Sequence, residues 1–187
     1  MRKNFGPQTW LCPMPVLIVA TYDEKGVPDA MNAAWGGIHD TSQLGICIDP
    51  SHKTAANLQR KGCFTVSVGT AAELAACDYV GIVSANQTPD KLDRTAWHME
   101  RAERVDAPLV RELPFALECQ LVSFDPATGC TVGKIVNVSV DESVLGEDGK
   151  PDLAKIAPLV LDPVHHLYRT LGEVAGHAFQ AGKALKK

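Results

Sequence analysis

Two apolar-rich runs, Phe115–Phe124 and Cys130–Val140, are separated only by Asp125-Pro126-Ala127-Thr128-Gly129. Proline, aspartate and glycine between two strand-like runs read as a turn, so the pair predicts a long β-hairpin. A hairpin forces antiparallel neighbours. The same logic predicts a second hairpin earlier in the chain. Residues 15–22 are β-branched and apolar, Asp23-Glu24-Lys25-Gly26 makes a turn, and 28–35 continue extended.

Shorter segments fill in between. Residues 44–48 read as a strand stopped by Pro50. Cys63–Val68 alternates Phe64, Val66 and Val68 against Thr65 and Ser67, which predicts a strand with one apolar face. Residues 71–83 are alanine-rich and helical in character. Residues 85–105 are polar, carry Pro89 and read as a loop with a short helix; so long an excursion is usually functional or a lid. Gly146 to Lys150 makes a further turn, and 153–161 and 164–171 read as short helical or loop segments.

Hairpins with few intervening helices predict a mainly β architecture, an antiparallel barrel or sandwich with peripheral helices. Strand and helix do not alternate, so a doubly wound sheet fits poorly. Neither G-x-G-x-x-G nor G-x-x-x-x-G-K-[ST] occurs, so a dinucleotide fold and a P-loop are unsupported. With 187 residues, 45% of them hydrophobic, one domain with a C-terminal extension is expected over 1–187.

The formal net charge of -4 argues against nucleic acid as a partner. No apolar run is long enough for a membrane span. The basic start is interrupted by Pro13 and Pro15 and makes a poor signal peptide, so a cytoplasmic location is expected. The six cysteines form no C-x-x-C pair, which weakens zinc and thioredoxin-type readings. Cys47, Cys63 and Cys119 lie in apolar runs and read as buried thiols, whereas Cys12 and Cys77 read as exposed. His165 and His166 are adjacent, and His98 with Glu100 lacks a third ligand, so no metal site is expected.

Two segments carry chemistry. Ser51 reads as the N-cap of a helix over 52–60 closed by Lys61-Gly62. The first N–H groups of such a helix are free, and its dipole favours an anion there. Lys53 adds a positive charge, Ser51 and Thr54 add hydroxyls, Asn57 shares their face, and His52 stands beside them. The segment is either a phosphate site or an ordinary surface helix with a solvated lysine. The other segment is Asn32-Ala33-Ala34-Trp35-Gly36-Gly37. Small side chains at Ala33 and Ala34 leave backbone groups open to the polar edge of a ring system. Trp35 either covers a ring face or fills the core. The glycine pair marks a bend or a close backbone approach.

In their order, these pieces resemble the flavin reductase-like family with the FMN-binding split β-barrel, and most closely its flavoredoxin-like branch. The residues that carry the resemblance are the 15–22 strand, Asn32 to Gly37, Ser51-His52-Lys53-Thr54 with Asn57, and Phe64 to Val68. Asp78-Tyr79-Val80-Gly81 with Ser84, Asp90 and Lys91, then Gly133 to Val136 and Leu171 to Phe179, extend it over nearly the whole chain. The resemblance implies an antiparallel Greek-key split β-barrel with peripheral helices, and a homodimer holding FMN near its interface. It implies ring contacts from Asn32, Ala33, Ala34 and Trp35, and phosphate contacts from Ser51, His52, Lys53, Thr54 and Asn57. It also implies that Ser67, Ser84 and Lys91 approach the cofactor. Ser67 stands where asparagine is common in the family, and Ala85-Asn86 replaces a glycine. The implied activity is flavin reduction with NADH or NADPH as electron donor. The alternative is an electron carrier reduced by a partner protein. No acid, base or nucleophile is expected, because the cofactor carries the chemistry. Arg94, Arg101 and Arg104 are candidates to meet a nucleotide phosphate.

Overall fold

A computed structural model describes residues 1–186. Its strands are β1 Met14–Pro15, β2 Leu17–Tyr22, β3 Pro28–Ala33, β4 Gly36–Asp40, β5 Gln43–Cys47, β6 Cys63–Val68, β7 Met99–Arg101, β8 Pro108–Val110, β9 Phe115–Phe124, β10 Cys130–Val140, β11 Leu159–Asp162 and β12 Leu167–Thr170. Its α-helices are α1 Lys53–Lys61, α2 Leu74–Ile82 and α3 Leu153–Ile156.

Seven strands make one sheet in the order β3-β2-β6-β9-β10-β5-β4, and every pairing in it is antiparallel. β3 and β4 are consecutive in the chain, yet they lie at opposite ends of that order. Only Ala34 and Trp35 separate them. Three Cα steps of about 3.8 Å reach roughly 11 Å at most, so the sheet must curl until its edges nearly meet. No ladder joins β3 to β4 among the described residues, and the barrel stays split along that seam. The expected antiparallel split barrel is the observed fold. β1, β11 and β12 form a smaller sheet, and β7 pairs with β8.

The central strand β2 shows why its sequence is a continuous apolar run rather than an alternating one. Leu17 and Val19 face the barrel interior with Met31, Leu44, Ile46, Phe64 and Val66, capped by Ala55 and Leu58 of α1. Ile18 and Ala20 face outward, but α2, Trp97, Val110 and Leu159 cover them. A strand covered on both faces has no polar side to show. The alternation in β6 is likewise covered: Thr65 is buried and donates to the Pro108 carbonyl oxygen at 2.5 Å, and Ser67 is buried beside it.

Both expected hairpins form. β9 and β10 keep the bounds read from sequence, and the β2–β3 turn closes on the Asp23 carboxylate, which accepts from the N–H groups of Lys25 and Val27. Four expectations are corrected. Residues 36–40 form an edge strand, not only a bend. Residues 159–162 and 167–170 pair as a β-hairpin, where short helical or loop segments were expected. Cys47 is exposed, because it ends its strand on the outer face. Cys77 is buried, because α2 turns it onto the outer face of β2.

Candidate functional site

The start of α1 and the end of α2 meet at the edge strand β3. Between them lies a recess of about 150 Å³ lined by Asp29 and Met31 of β3, His52, Lys53 and Thr54 of α1, residues 80–85, and Lys91. His52, not Ser51, occupies the N-cap position of α1, with extended backbone and no side-chain cap bond. The reason is local: Asp49 takes both the N–H and the hydroxyl of Ser51, at 2.8 and 2.6 Å, and so removes that hydroxyl from the helix end. The N–H groups of Lys53 and Thr54 have no acceptor among the described residues, as the first turn of a helix requires. Asn86 donates from Nδ2 to the Ser51 carbonyl oxygen at 3.0 Å, which ties the loop after α2 to the start of α1.

Apart from His52, the charged and hydroxyl side chains around this recess are engaged with one another or with the backbone. Lys53 Nζ lies 3.4 Å from Asp23 Oδ2. Burial pushes the Asp23 carboxyl up, but the N–H groups of Val27 and Lys25, together with Lys53, outweigh it and hold the group below its ordinary value. Thr54 is buried and donates to Asp29 Oδ2 at 2.8 Å. Lys91 is buried, donates to the Val83 carbonyl oxygen at 3.1 Å and lies 3.2 Å from Asp29 Oδ1. That last contact is an ion pair without hydrogen-bond alignment, so Asp29 Oδ1 is a buried acceptor without a hydrogen-bond partner among the described residues. Asn57 points elsewhere: it is buried and donates to Thr21 Oγ1 at 3.1 Å.

A second recess, of about 390 Å³ and largely apolar, lies beyond the β3–β4 crossing. Ala34, Trp35, Gly36 and Gly37 line it, with Leu11, Met14, Ile46 and His39 among the others. Trp35 does not fill the core; it is 55% exposed. Its carbonyl oxygen accepts from Cys47 N–H at 2.8 Å, which fixes the crossing against β5. The glycine pair divides in role. A Cβ on Gly36 would come within 2.8 Å of Leu17 Cδ1, whereas one on Gly37 would meet nothing. Gly36 is the close approach.

The fold therefore brings together His52, Lys53, Thr54, Ser84 and Lys91 at one recess, and Ala34 with Trp35 at the other. Ala33 is buried in β3. The Asn32 amide binds the Cys77 carbonyl oxygen at 3.0 Å and approaches Tyr168 Oη at 3.4 Å, so it fastens β3 to α2 and β12. Tyr168 in turn donates to Asp78 at 2.9 Å, and burial with that carboxylate pushes its hydroxyl up to about 12. Ser51 lines a shallower groove beside the start of α1, and Ser67 lines neither recess. Nor do Arg94, Arg101 and Arg104. Arg101 pairs with Asp106 and Arg104 with Glu103. Asp29 and Asp23 were missed from sequence. Asp29 was detectable as a lone acid in an apolar strand, which demands buried partners.

The chain matches the flavin reductase like domain over residues 10–166. It belongs to the flavin reductase-like family. Within the family it stands with the flavoredoxins. It is 35% identical to flavoredoxin of Desulfovibrio vulgaris (Miyazaki F), with a TM-score of 0.92 over 97% of this chain and 100% of that one. To flavoredoxin from Methanosarcina acetivorans it is 28% identical, with a TM-score of 0.88 over 99% and 100%. An FMN-binding domain of a flavin reductases-like enzyme from Shewanella baltica shares the fold, at 22% identity and a TM-score of 0.73 over 87% and 88%. No curated protein matches the chain. Among the described residues, no helix is long and apolar enough to cross a membrane, and no cluster of three metal-ligating side chains occurs.

Proposed function

We propose that this protein binds FMN and acts as an NAD(P)H-dependent flavin reductase. The observation that carries the reading is the recess at the start of α1, where two free N–H groups, Lys53 and His52 converge on one phosphate-sized space. Small-molecule pockets usually measure about 300–1,000 Å³. The polar recess is too small for a whole mononucleotide and suits its phosphate end. The apolar recess beside Trp35 suits a flat ring. When bound, FMN supplies the capacity to take a hydride and to pass on electrons singly or in pairs.

In this reading the chain's own groups position and screen. The N–H groups of Lys53 and Thr54 hold the phosphate without having to move. Lys53 trades its contact with Asp23 for the phosphate. Thr54 and Lys91 act from behind, by holding Asp29 in place. Trp35 covers the ring. The chain pairs with a second copy, and the support for that is its C-terminal arm: Leu171, Val174, Phe179 and Leu185 are all exposed on their own chain.

A second reading is a carrier that a partner protein reduces. Similarity to the two flavoredoxins favours it, and the arginines thought to meet a nucleotide line neither recess. One experiment separates the two. Protein loaded with FMN is mixed anaerobically with NADH or NADPH alone. The reductase reading expects the flavin to bleach. Bleaching by dithionite but by neither nucleotide favours the carrier, and failure to take up FMN at all overturns both.

A further inference from the structure

Cys47 and Cys130 are direct partners across the β5–β10 ladder. Cys47 is the last residue of its strand and Cys130 the first of its own. At the adjacent pair, Ile48 N–H donates to the Gly129 carbonyl oxygen at 2.9 Å. Antiparallel ladders alternate bonded and non-bonded pairs, so Cys47 and Cys130 form a non-bonded pair. Their backbone bonds agree. Cys47 N–H donates to Trp35 on the other side of β5, and the Cys130 carbonyl oxygen accepts from Asp125 on the β9 side. Non-bonded pairs bring Cα atoms to about 4.5 Å and Cβ atoms to about 4.5–5.5 Å. A disulfide spans Cα separations of about 4.4–6.8 Å and Cβ separations of about 3.5–4.5 Å. Next to this pair the backbones approach closely: Gly129 is left-handed, and a Cβ on it would lie 2.4 Å from the Ile48 carbonyl oxygen.

Both thiols are exposed, and both line the apolar recess beside Trp35. Cys63, Cys77 and Cys119 are buried. Burial pushes the thiols of Cys77 and Cys119 up to about 11 and about 12, which leaves them protonated and inert.

We propose that Cys47 and Cys130 are a redox site that closes reversibly into a cross-strand disulfide by exchange with a low-molecular-weight disulfide. The thiolate of one cysteine attacks a sulfur of the small disulfide. A mixed disulfide forms, and one small thiol leaves with the proton. The second cysteine then attacks the protein-side sulfur and expels the other small thiol. Two protein thiols are oxidised by two electrons, and one small disulfide is reduced to two thiols. The reverse sequence opens the bridge. The inference does not depend on any bound flavin.

The test treats the native full-length protein with oxidised glutathione and counts thiols with Ellman's reagent. The expected result is the loss of the Cys47 and Cys130 thiols as one disulfide, two hydrogens lighter, with any glutathionyl adduct confined to the exposed Cys12. Peptide mapping is expected to join Cys47 to Cys130, and dithiothreitol to restore both thiols. In Cys47→Ser or Cys130→Ser the remaining cysteine has no resolving partner, so a stable glutathionyl adduct accumulates; Cys12→Ser still closes. Persistent adducts on Cys47 or Cys130 of the unsubstituted protein would overturn the proposal, as would a bridge mapped to Cys12 or no loss of the Cys47 and Cys130 thiols. The mapping needs no variant, so the outcome does not rest on variants folding.

Discussion

Lys53 and Thr54 neighbour each other in sequence but act differently. Lys53 points its ammonium at Asp23 from a partly open position, so a phosphate can capture it. A charged hydrogen bond contributes about 1.5–3 kcal/mol, so Lys53→Ala is expected to weaken FMN roughly tenfold to 150-fold. Riboflavin, which lacks the phosphate, is expected to bind unchanged; equal losses in a fluorescence titration would rule this role out. Asp23→Asn is expected to act in the opposite direction and tighten FMN, because it releases Lys53 from a competing carboxylate. Thr54 instead holds a buried carboxylate. Thr54→Val keeps the volume and leaves Asp29 Oδ2 without its hydroxyl, which is expected to cost about 1–3 kcal/mol of stability in urea unfolding. Sequence marked the 51–57 segment as a candidate anion site, with an ordinary capped surface helix as the alternative, because hydroxyls and a lysine at a helix start serve either. It could not show that Asp49 claims the Ser51 hydroxyl, or that Asn57 turns toward Thr21, since both depend on how the chain enters the helix.

The β11–β12 hairpin is held at its turn by one carboxylate. Asp162 accepts from His165 Nδ1, from the N–H groups of Val164 and His165, and from Arg169. The His165 bond chiefly, with the N–H groups and Arg169, brings its carboxyl from an ordinary 3.8 down to about 2. A depressed carboxylate contributes its stability above the ordinary value and loses it as pH falls through the depressed one. The hairpin is therefore expected to loosen between about pH 4 and pH 2. Amide exchange at Val164 and His165 reads this, and Asp162→Asn is expected to abolish the dependence in that window. Elements with strong periodicity or sharp turns were legible: β9, β10, the β2–β3 hairpin, and α1 with Gly62 at its end, at φ 69. β4, β11 and β12 were not. β4 is an exposed edge with two glycines and a histidine, and β11 and β12 have four residues each. Their strand character comes from the neighbours they pair with, which local pattern does not encode.

Across the whole molecule, the apolar side chains of the C-terminal arm have no cover on their own chain. Removing residues 171–187 is expected to shift a dimer toward monomer in light scattering across a dilution series, and to leave the barrel folded. A monomeric full-length protein that retains FMN would contradict the paired assembly. The barrel as a class was legible from the hairpins, but its closure was not, because closure follows from which strands end up at the two edges. That order has a consequence for how the chain is made. A ribosome delivers β4 and β5 some eighty residues before β10, the strand that joins them to the rest of the sheet. Until then the β4–β5 hairpin waits with an open edge, the hazard of any fold built on distant pairings. The apolar recess lacks its Cys130 wall during that interval, whereas the polar recess is lined by residues 29–91 alone. In a nascent chain the apolar recess therefore stays incomplete, and Cys47 has no partner opposite it, until synthesis has passed the second long hairpin.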